Sequence, residues 1–356
     1  MPRPLEATVD LQALRNNLGV AQRHAKGARV LAVVKADAYG HGLDRILPGL
    51  KDATGFAVIE LESALRLRAA HAGRPVLLLE GFFDERELAE ISAAGLQTVI
   101  HEQSQLEMLL SASLPKPVDV FMKINTGMNR LGFTIGKCAE IIDRLAASAN
   151  VRETVLMTHF ADADGERGVE WQLGPFQKLA ESSGLKMCAA NSAAVLRYPQ
   201  THGAWVRPGI MLYGASPFSD QSAADLGLRP VVTVRSRIIG VQALVPGDAV
   251  GYGCTYVAKE PTRIGIVAAG YGDGYPRHAP SGTPVLVNGE RVPTVGRISM
   301  DTLCVDLASV PQAGVDSPVT LWGEGLPVEE VAHSAGTVSY ELLTKLTRRV
   351  PFKVSP

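Results

Sequence analysis

The sequence predicts an N-terminal (β/α)₈ barrel of the TIM type followed by a mostly-β domain, an α/β protein overall. Three observations predict it. Eight short apolar runs alternate with longer amphipathic stretches between about residues 29 and 214. Beyond about residue 228 the pattern changes to short β-rich runs separated by turn residues. The 356 residues also exceed the roughly 250 at which a single core stops growing. The division that follows is a barrel over residues 1–228 and a β-rich domain over residues 229–356.

The eight runs are RVLAVVKADAY (29–39), GFAVIE (55–60), PVLLLEG (75–81), QTVIH (97–101), VDVFMKI (118–124), TVLMTHF (154–160), KMCAANS (186–192) and WVRPGIMLYG (205–214). Continuous apolar runs suit strands buried on both faces. Between them, LESALRLRAAH and ERELAEISAAG carry apolar residues three and four apart, the helical spacing. The acidic DERE opens the second of these helices and Gly95 closes it. Eight strand–helix units favour a closed barrel over an open doubly wound sheet. The connection from the seventh run to the eighth is short for a helix. In the second half, Asn288–Gly289 between VLV and ERVPTV predicts a tight type I′ hairpin. VEEVAHSAGTVSYELLTKL predicts two helical pieces with a turn near Gly336. EATVDL reads as a strand, and pairing with the β domain is one option for it.

Composition narrows the function. Hydrophobic residues make up 46% and charged residues 20%, as in ordinary globular proteins. A formal net charge of -1 gives no electrostatic attraction to nucleic acid or an anionic membrane. No apolar stretch reaches signal-peptide or membrane-span length, so a cytoplasmic protein is expected. The four cysteines, Cys138, Cys188, Cys254 and Cys304, form no CxxC pair. Neither a metal site nor a disulfide framework is expected, and isolated cysteines of this kind are ordinarily small core residues.

In a parallel barrel, function gathers at the C-terminal ends of the strands. Lys35 and Tyr39 end the first run. Lys123 ends the fifth, and Arg130 follows in its loop. His159 ends the sixth, Asn191 and Ser192 the seventh, and Arg207 and Gly209 lie on the eighth. The fold reading gathers these distant residues on one rim. Each has an ordinary role as well. A strand-end lysine snorkels to water, an arginine pairs with a carboxylate, a lone histidine is structural, and a serine caps a helix. A lysine nucleophile needs an amine partly deprotonated against a reference pKa of about 10.4, which burial supplies.

AVVKADAYGHG closely resembles the cofactor-lysine motif of bacterial alanine racemases, pyridoxal-phosphate enzymes of fold type III. KINTGMNRLGF (123–133), THFADAD (158–164), ANSAA (190–194), VRPGIMLYG (206–214), GYGCTY (251–256), GYGDGYPR (270–277) and VGRISMD (295–301) resemble further family blocks in the same order. Together they span nearly the whole chain. The resemblance implies an isomerase that interconverts L-alanine and D-alanine, supplying or consuming D-alanine, a peptidoglycan precursor. A related racemase of broader specificity, for serine or basic amino acids, is the alternative. A non-enzymatic pyridoxal-phosphate carrier would lack the β domain, and a decarboxylase of basic amino acids would carry a different β-domain signature.

The resemblance also assigns roles. Lys35 would carry pyridoxal 5′-phosphate as a Schiff base and serve as one base. Tyr252 would be the second base, supplied by the other subunit of a homodimer. Two opposed bases suit racemisation, because the α-proton leaves from one face and returns on the other. A tyrosine base needs its pKa lowered from about 10. Arg207 would face the pyridine nitrogen and disfavour its protonation, with His159 beside it. Tyr39, Ser192, Gly209 and Ile210 would hold the phosphate, with Asn191 next to them. Arg130 and Met300 would bind the substrate carboxylate, and Tyr271 would line the entrance, where Asp301 could orient its neighbours. Lys123 matches a lysine that is carbamylated in some relatives, giving an anion to hold Arg130. Two positions depart from the family pattern. Asn125 stands where many relatives have aspartate. Arg348 stands where some have a phosphate-binding tyrosine, so that contact is left unassigned.

Overall fold

The structure is a computed structural model that describes residues 3–71 and 73–356. Eight parallel strands form its first half: Arg29–Val33, Gly55–Val58, Val76–Leu78, Gln97–Ile100, Val118–Asn125, Val151–Met157, Lys186–Cys188 and Trp205–Val206. Each pairs with the next, and Trp205–Val206 returns to Arg29–Val33, which closes the barrel. Every one of the eight predicted runs contributes a strand. The central ones are buried except at the terminal Asn125, which is why they read as apolar runs.

The amphipathic stretches become the outer helices. Leu61–Ala70, Glu85–Ala94, Gln103–Ser111, Cys138–Ala146 and Glu170–Ser183 follow strands two to six. Asp84 caps Glu85–Ala94 by accepting from the Glu87 N–H, and Gly95 ends that helix in the left-handed conformation. The short seventh connection holds the six-residue helix Ser192–Arg197 and a 3-10 turn at Pro199–Thr201.

The second half is built on an eight-stranded sheet, with a separate two-stranded sheet of Ala249–Val250 and Tyr256–Val257. Its hairpin Pro284–Val287 and Glu290–Val295 turns at Asn288–Gly289 as predicted. Glu6–Asp10 also belongs to this sheet: it pairs antiparallel with Val232–Leu244 and parallel with Phe352–Ser355. The N-terminal strand therefore lies apart from the barrel that it precedes in sequence. Asp10 then caps Leu11–His24, which leads into the barrel. The two C-terminal helices are Val328–Ser334 and Ser339–Thr344, with Gly336 between them. The second presses on the barrel rim: a Cβ on Gly40 would lie 2.2 Å from the Leu343 carbonyl oxygen. No helix among the described residues is long and apolar enough to cross a membrane.

Candidate active site

The first strand stops at Val33, so Lys35 and Tyr39 do not end it as expected. They begin and end a left-handed turn. Ala36, Asp37, Ala38 and Tyr39 have φ of 52°, 49°, 57° and 53°. L-residues pay about 1–2 kcal/mol each for this conformation. Gly40 continues it at φ 79°, and the Leu343 carbonyl leaves no room for a side chain there. The sharp reversal turns the strand end into a ledge. From that ledge Lys35 and Tyr39 both line a cavity of about 970 Å³ at the C-terminal mouth of the barrel.

The same cavity collects Lys123, Arg130, His159, Asn191, Ser192, Arg207, Gly209 and Ile210. Ten of the residues read from the sequence thus meet in one place. Among the described residues, none of Lys35, Lys123, Arg130 and Arg207 has a carboxylate within ion-pairing distance. Burial, then the charge of Arg130, lowers the pKa of Lys35. Burial, then Arg207 and Arg130, brings Lys123 down to about 8.

Arg207 is not paired with a carboxylate. It is buried and spans neighbouring strand ends. Its guanidinium donates to the carbonyls of Cys188 at 2.8 Å, Thr158 at 2.7 Å and Ala189 at 3.1 Å, and to the Cys188 sulfur at 2.9 Å. It also donates to His159 Nδ1 at 3.4 Å, so that nitrogen is the acceptor and the imidazole is neutral. Burial and the neighbouring Arg207 hold the His159 pKa well below its ordinary value.

The side of the cavity where phosphate is expected is built from backbone. Ser192 accepts the Gly209 N–H at 2.9 Å and the Met211 N–H at 3.4 Å. The capping role expected of Ser192 falls to Asn191, which accepts from the Ala194 N–H at 3.0 Å. A Cβ on Gly209 would stand 2.4 Å from the Tyr39 hydroxyl, so a side chain there would displace the Tyr39 ring. Tyr39 stacks on Tyr213 at 4.5 Å between ring centroids, and Tyr213 donates to the Val33 carbonyl at 3.0 Å.

Tyr252, Tyr271 and Met300 do not reach this cavity. Tyr252 is 73% exposed on a turn of the β domain, beside exposed Cys254, which is not the core cysteine expected. Gly253 of that turn packs against the Arg297 guanidinium. The Tyr271 N–H donates to the Ser299 carbonyl and the Gly272 N–H to that of Met300. These residues thus share one exposed edge through segment 297–301. Arg349 pairs with Asp301 on that edge.

Four ionisable cavity residues were missed in the sequence: Glu80, Asp164, Tyr340 and Glu341. Glu80 lies one residue before the end of the PVLLLEG run, so the rim rule applied evenly would have found it. Tyr340 comes from the C-terminal helix and carries no local signal. Its ring lies 6.1 Å from that of Tyr39, and burial with nearby Asp164 raises its pKa to about 12. Arg348 is not among the residues lining the cavity.

Comparison with known proteins agrees with this geometry. The family described as "Alanine racemase, N-terminal domain" matches residues 9–217, and "Alanine racemase, C-terminal domain" matches residues 231–354. An alanine racemase of Nitrosomonas eutropha is 56% identical over 356 residues, covering 99% of both chains. The crystal structure of a biosynthetic alanine racemase from Pseudomonas aeruginosa superposes with a TM-score of 0.97 at 47% identity, covering 99% of this chain and 100% of that one. The alanine racemase of Acinetobacter baumannii gives 0.94 at 37% identity, with the same coverage. The chain belongs to the alanine racemase family.

Proposed function

We propose that this chain interconverts L- and D-alanine as a cytoplasmic homodimer, with pyridoxal 5′-phosphate as cofactor and with Lys35 and Tyr252 of the partner subunit as the two bases. One observation carries the reading: Lys35, Lys123, Arg130 and Arg207, none of them ion-paired among the described residues, line a single cavity and outnumber its carboxylates Glu80, Asp164 and Glu341, and the proton of Lys35 is disfavoured. Such a cavity suits an anionic, aldehyde-bearing ligand. Its phosphate would meet Tyr39, Ser192, Gly209 and Ile210, with Asn191 alongside, where backbone can approach closely. Bound pyridoxal phosphate supplies an electron sink that acidifies the α-carbon of an attached amino acid.

The remaining work falls to the chain's own residues. Lys35 anchors the cofactor and takes or returns the α-proton on one face. Tyr252 of the partner subunit does so on the other. Arg207 carries donors only, so it would disfavour a proton on the pyridine nitrogen of a bound cofactor and limit side reactions such as transamination. His159 keeps Arg207 in place as a neutral acceptor. Arg130, together with the Met300 backbone of the partner subunit, grips the substrate carboxylate, and the partner subunit's Tyr271 lines the approach. Lys123, with its pKa near 8, has a neutral fraction able to take up carbon dioxide, and the carbamate would give Arg130 the anion that Asn125 does not supply. In this reading residues 1–228 bind the cofactor and residues 229–356 deliver the second base.

Borohydride reduction followed by peptide mass mapping tests the centre of this reading. The phosphopyridoxyl group is expected on Lys35; on another residue, or on none, it sinks the assignment. Rates with alanine, serine, lysine and arginine test the substrate, with alanine expected to dominate. Intact mass after gentle desalting tests Lys123: an unmodified amine removes the carbamate.

A further inference from the structure

We propose that His41 is a positioning residue for Lys35: it clamps the left-handed turn that directs Lys35 and Tyr39 into one cavity. The proposal rests on the roles of Lys35 and Tyr39 given above.

The turn runs against the intrinsic preference of four consecutive L-residues, so something must hold it. His41 is 1% exposed beneath it. Its Nδ1 lies 3.0 Å from the Ala38 carbonyl and 2.9 Å from that of Tyr39. Both partners are acceptors, so Nδ1 carries the proton and is shared between two carbonyls of the turn. Nε2 is then a bare acceptor, and it is buried without a partner among the described residues. An unsatisfied buried acceptor costs about 1–3 kcal/mol. A leucine would avoid that cost and still fill the space, which makes simple packing a poor account of the imidazole.

The ring is also fixed from the side. It lies 4.7 Å from the Tyr213 ring, and Tyr213 is the ring on which Tyr39 stacks. At the far end, the Asp37 carbonyl accepts from the Gly42 N–H and the Asp37 carboxylate from the Leu43 N–H. Burial lowers the His41 pKa to about 4, which keeps the imidazole in its neutral form at ordinary pH. His41 is thus tied to the backbone of Tyr39 and, through the turn itself, to the base of the Lys35 side chain.

Three variants test the clamp. His41→Asn carries an amide that can place an N–H near the Nδ1 position. His41→Gln places its amide farther out, and His41→Leu fills the space with no donor. Pyridoxal phosphate affinity, titrated by absorbance into cofactor-free protein, is expected to stay within about threefold of wild type for H41N and to fall at least about tenfold for H41Q and H41L, the scale of one lost buried hydrogen bond. Amide hydrogen exchange at Gly40 and Gly42, measured without cofactor, is expected to quicken in H41L and not in H41N. Equal affinities and equal exchange in all three variants overturn the clamp. Exchange does not involve the cofactor, so a cofactor found away from Lys35 sinks only the underlying assignment. Where the variants fail to fold, long-range ¹⁵N–¹H spectra of ¹⁵N-histidine-labelled wild type decide: His41 protonated on Nδ1 supports the clamp, and protonation on Nε2 alone overturns it.

Discussion

A lysine amine is a poor base while it holds its proton, and both Lys35 and Lys123 sit where that proton is disfavoured by burial and by neighbouring arginines. For Lys123 the sign of the pH effect follows. The folded pKa is about 8, and the unfolded value is about 10.4. Between the two, the unfolded chain binds more protons, so this residue's contribution to stability rises with pH across that window. Below it both states are charged, and the folded state bears the whole desolvation cost. Lys123→Met is therefore expected to raise the Tm of cofactor-free protein near about pH 7 in carbonate-free buffer, with a gain that shrinks toward about pH 10. Equal gains at both pH values would contradict the assignment. At this scale the sequence was most readable where a polar residue interrupts an apolar run, as at Lys35, Lys123 and Arg207. Tyr340 was unreadable because its place in the cavity depends on a helix folding back from the far end of the chain.

The left-handed turn after the first strand is the element on which the cavity depends. Its sequence, KADAYGHG, is full of residues that could continue a strand or begin an ordinary helix, and nothing local announces four positive φ values. The strands and outer helices were legible for the opposite reason: their burial pattern is their periodicity. Ser192 opens the small helix Ser192–Arg197 as expected, but the N-cap is Asn191, because the Ser192 hydroxyl is drawn off by two backbone N–H groups that follow the next strand. Two glycines test these elements. Gly40→Ala meets the Leu343 carbonyl in a left-handed conformation and is expected to cost about 2–4 kcal/mol in urea unfolding. Gly209→Ala meets the Tyr39 hydroxyl, and we expect it to weaken cofactor binding at least about tenfold. A Gly209→Ala protein with wild-type cofactor affinity would show that Tyr39 and Gly209 can part without consequence.

At the scale of the molecule, the barrel holds Lys35 while the β domain carries Tyr252 on an exposed turn outside the cavity. If a second copy supplies Tyr252, complementation follows. Lys35→Ala and Tyr252→Phe chains are each expected to lose activity, the latter by about 10²–10⁴-fold in both directions. Subunit exchange between them places one intact lysine and one intact tyrosine at the same site. Activity should then return to about a quarter of wild type, since half the dimers are mixed and each has one complete site of two. No recovery despite verified exchange would mean that each site is built from a single chain. The two-part architecture was readable from the change in run length near residue 228. The place of Glu6–Asp10 was not, because its pairing with Val232–Leu244 is decided by packing between segments far apart in the chain.

The four cations of the cavity also bear on how the protein matures. These basic side chains outnumber the Glu80, Asp164 and Glu341 carboxylates that line the same cavity, and a captured anion lowers the free energy of the fold. Cofactor capture should then stabilise the fold, and chains starved of it should be the ones that proteases and heat remove first. Cofactor-free protein should accordingly melt higher in phosphate than in chloride of equal ionic strength. Pyridoxal lacking its phosphate should protect less than pyridoxal phosphate. Identical melting curves under all these conditions would mean that the empty cavity already tolerates its own charge.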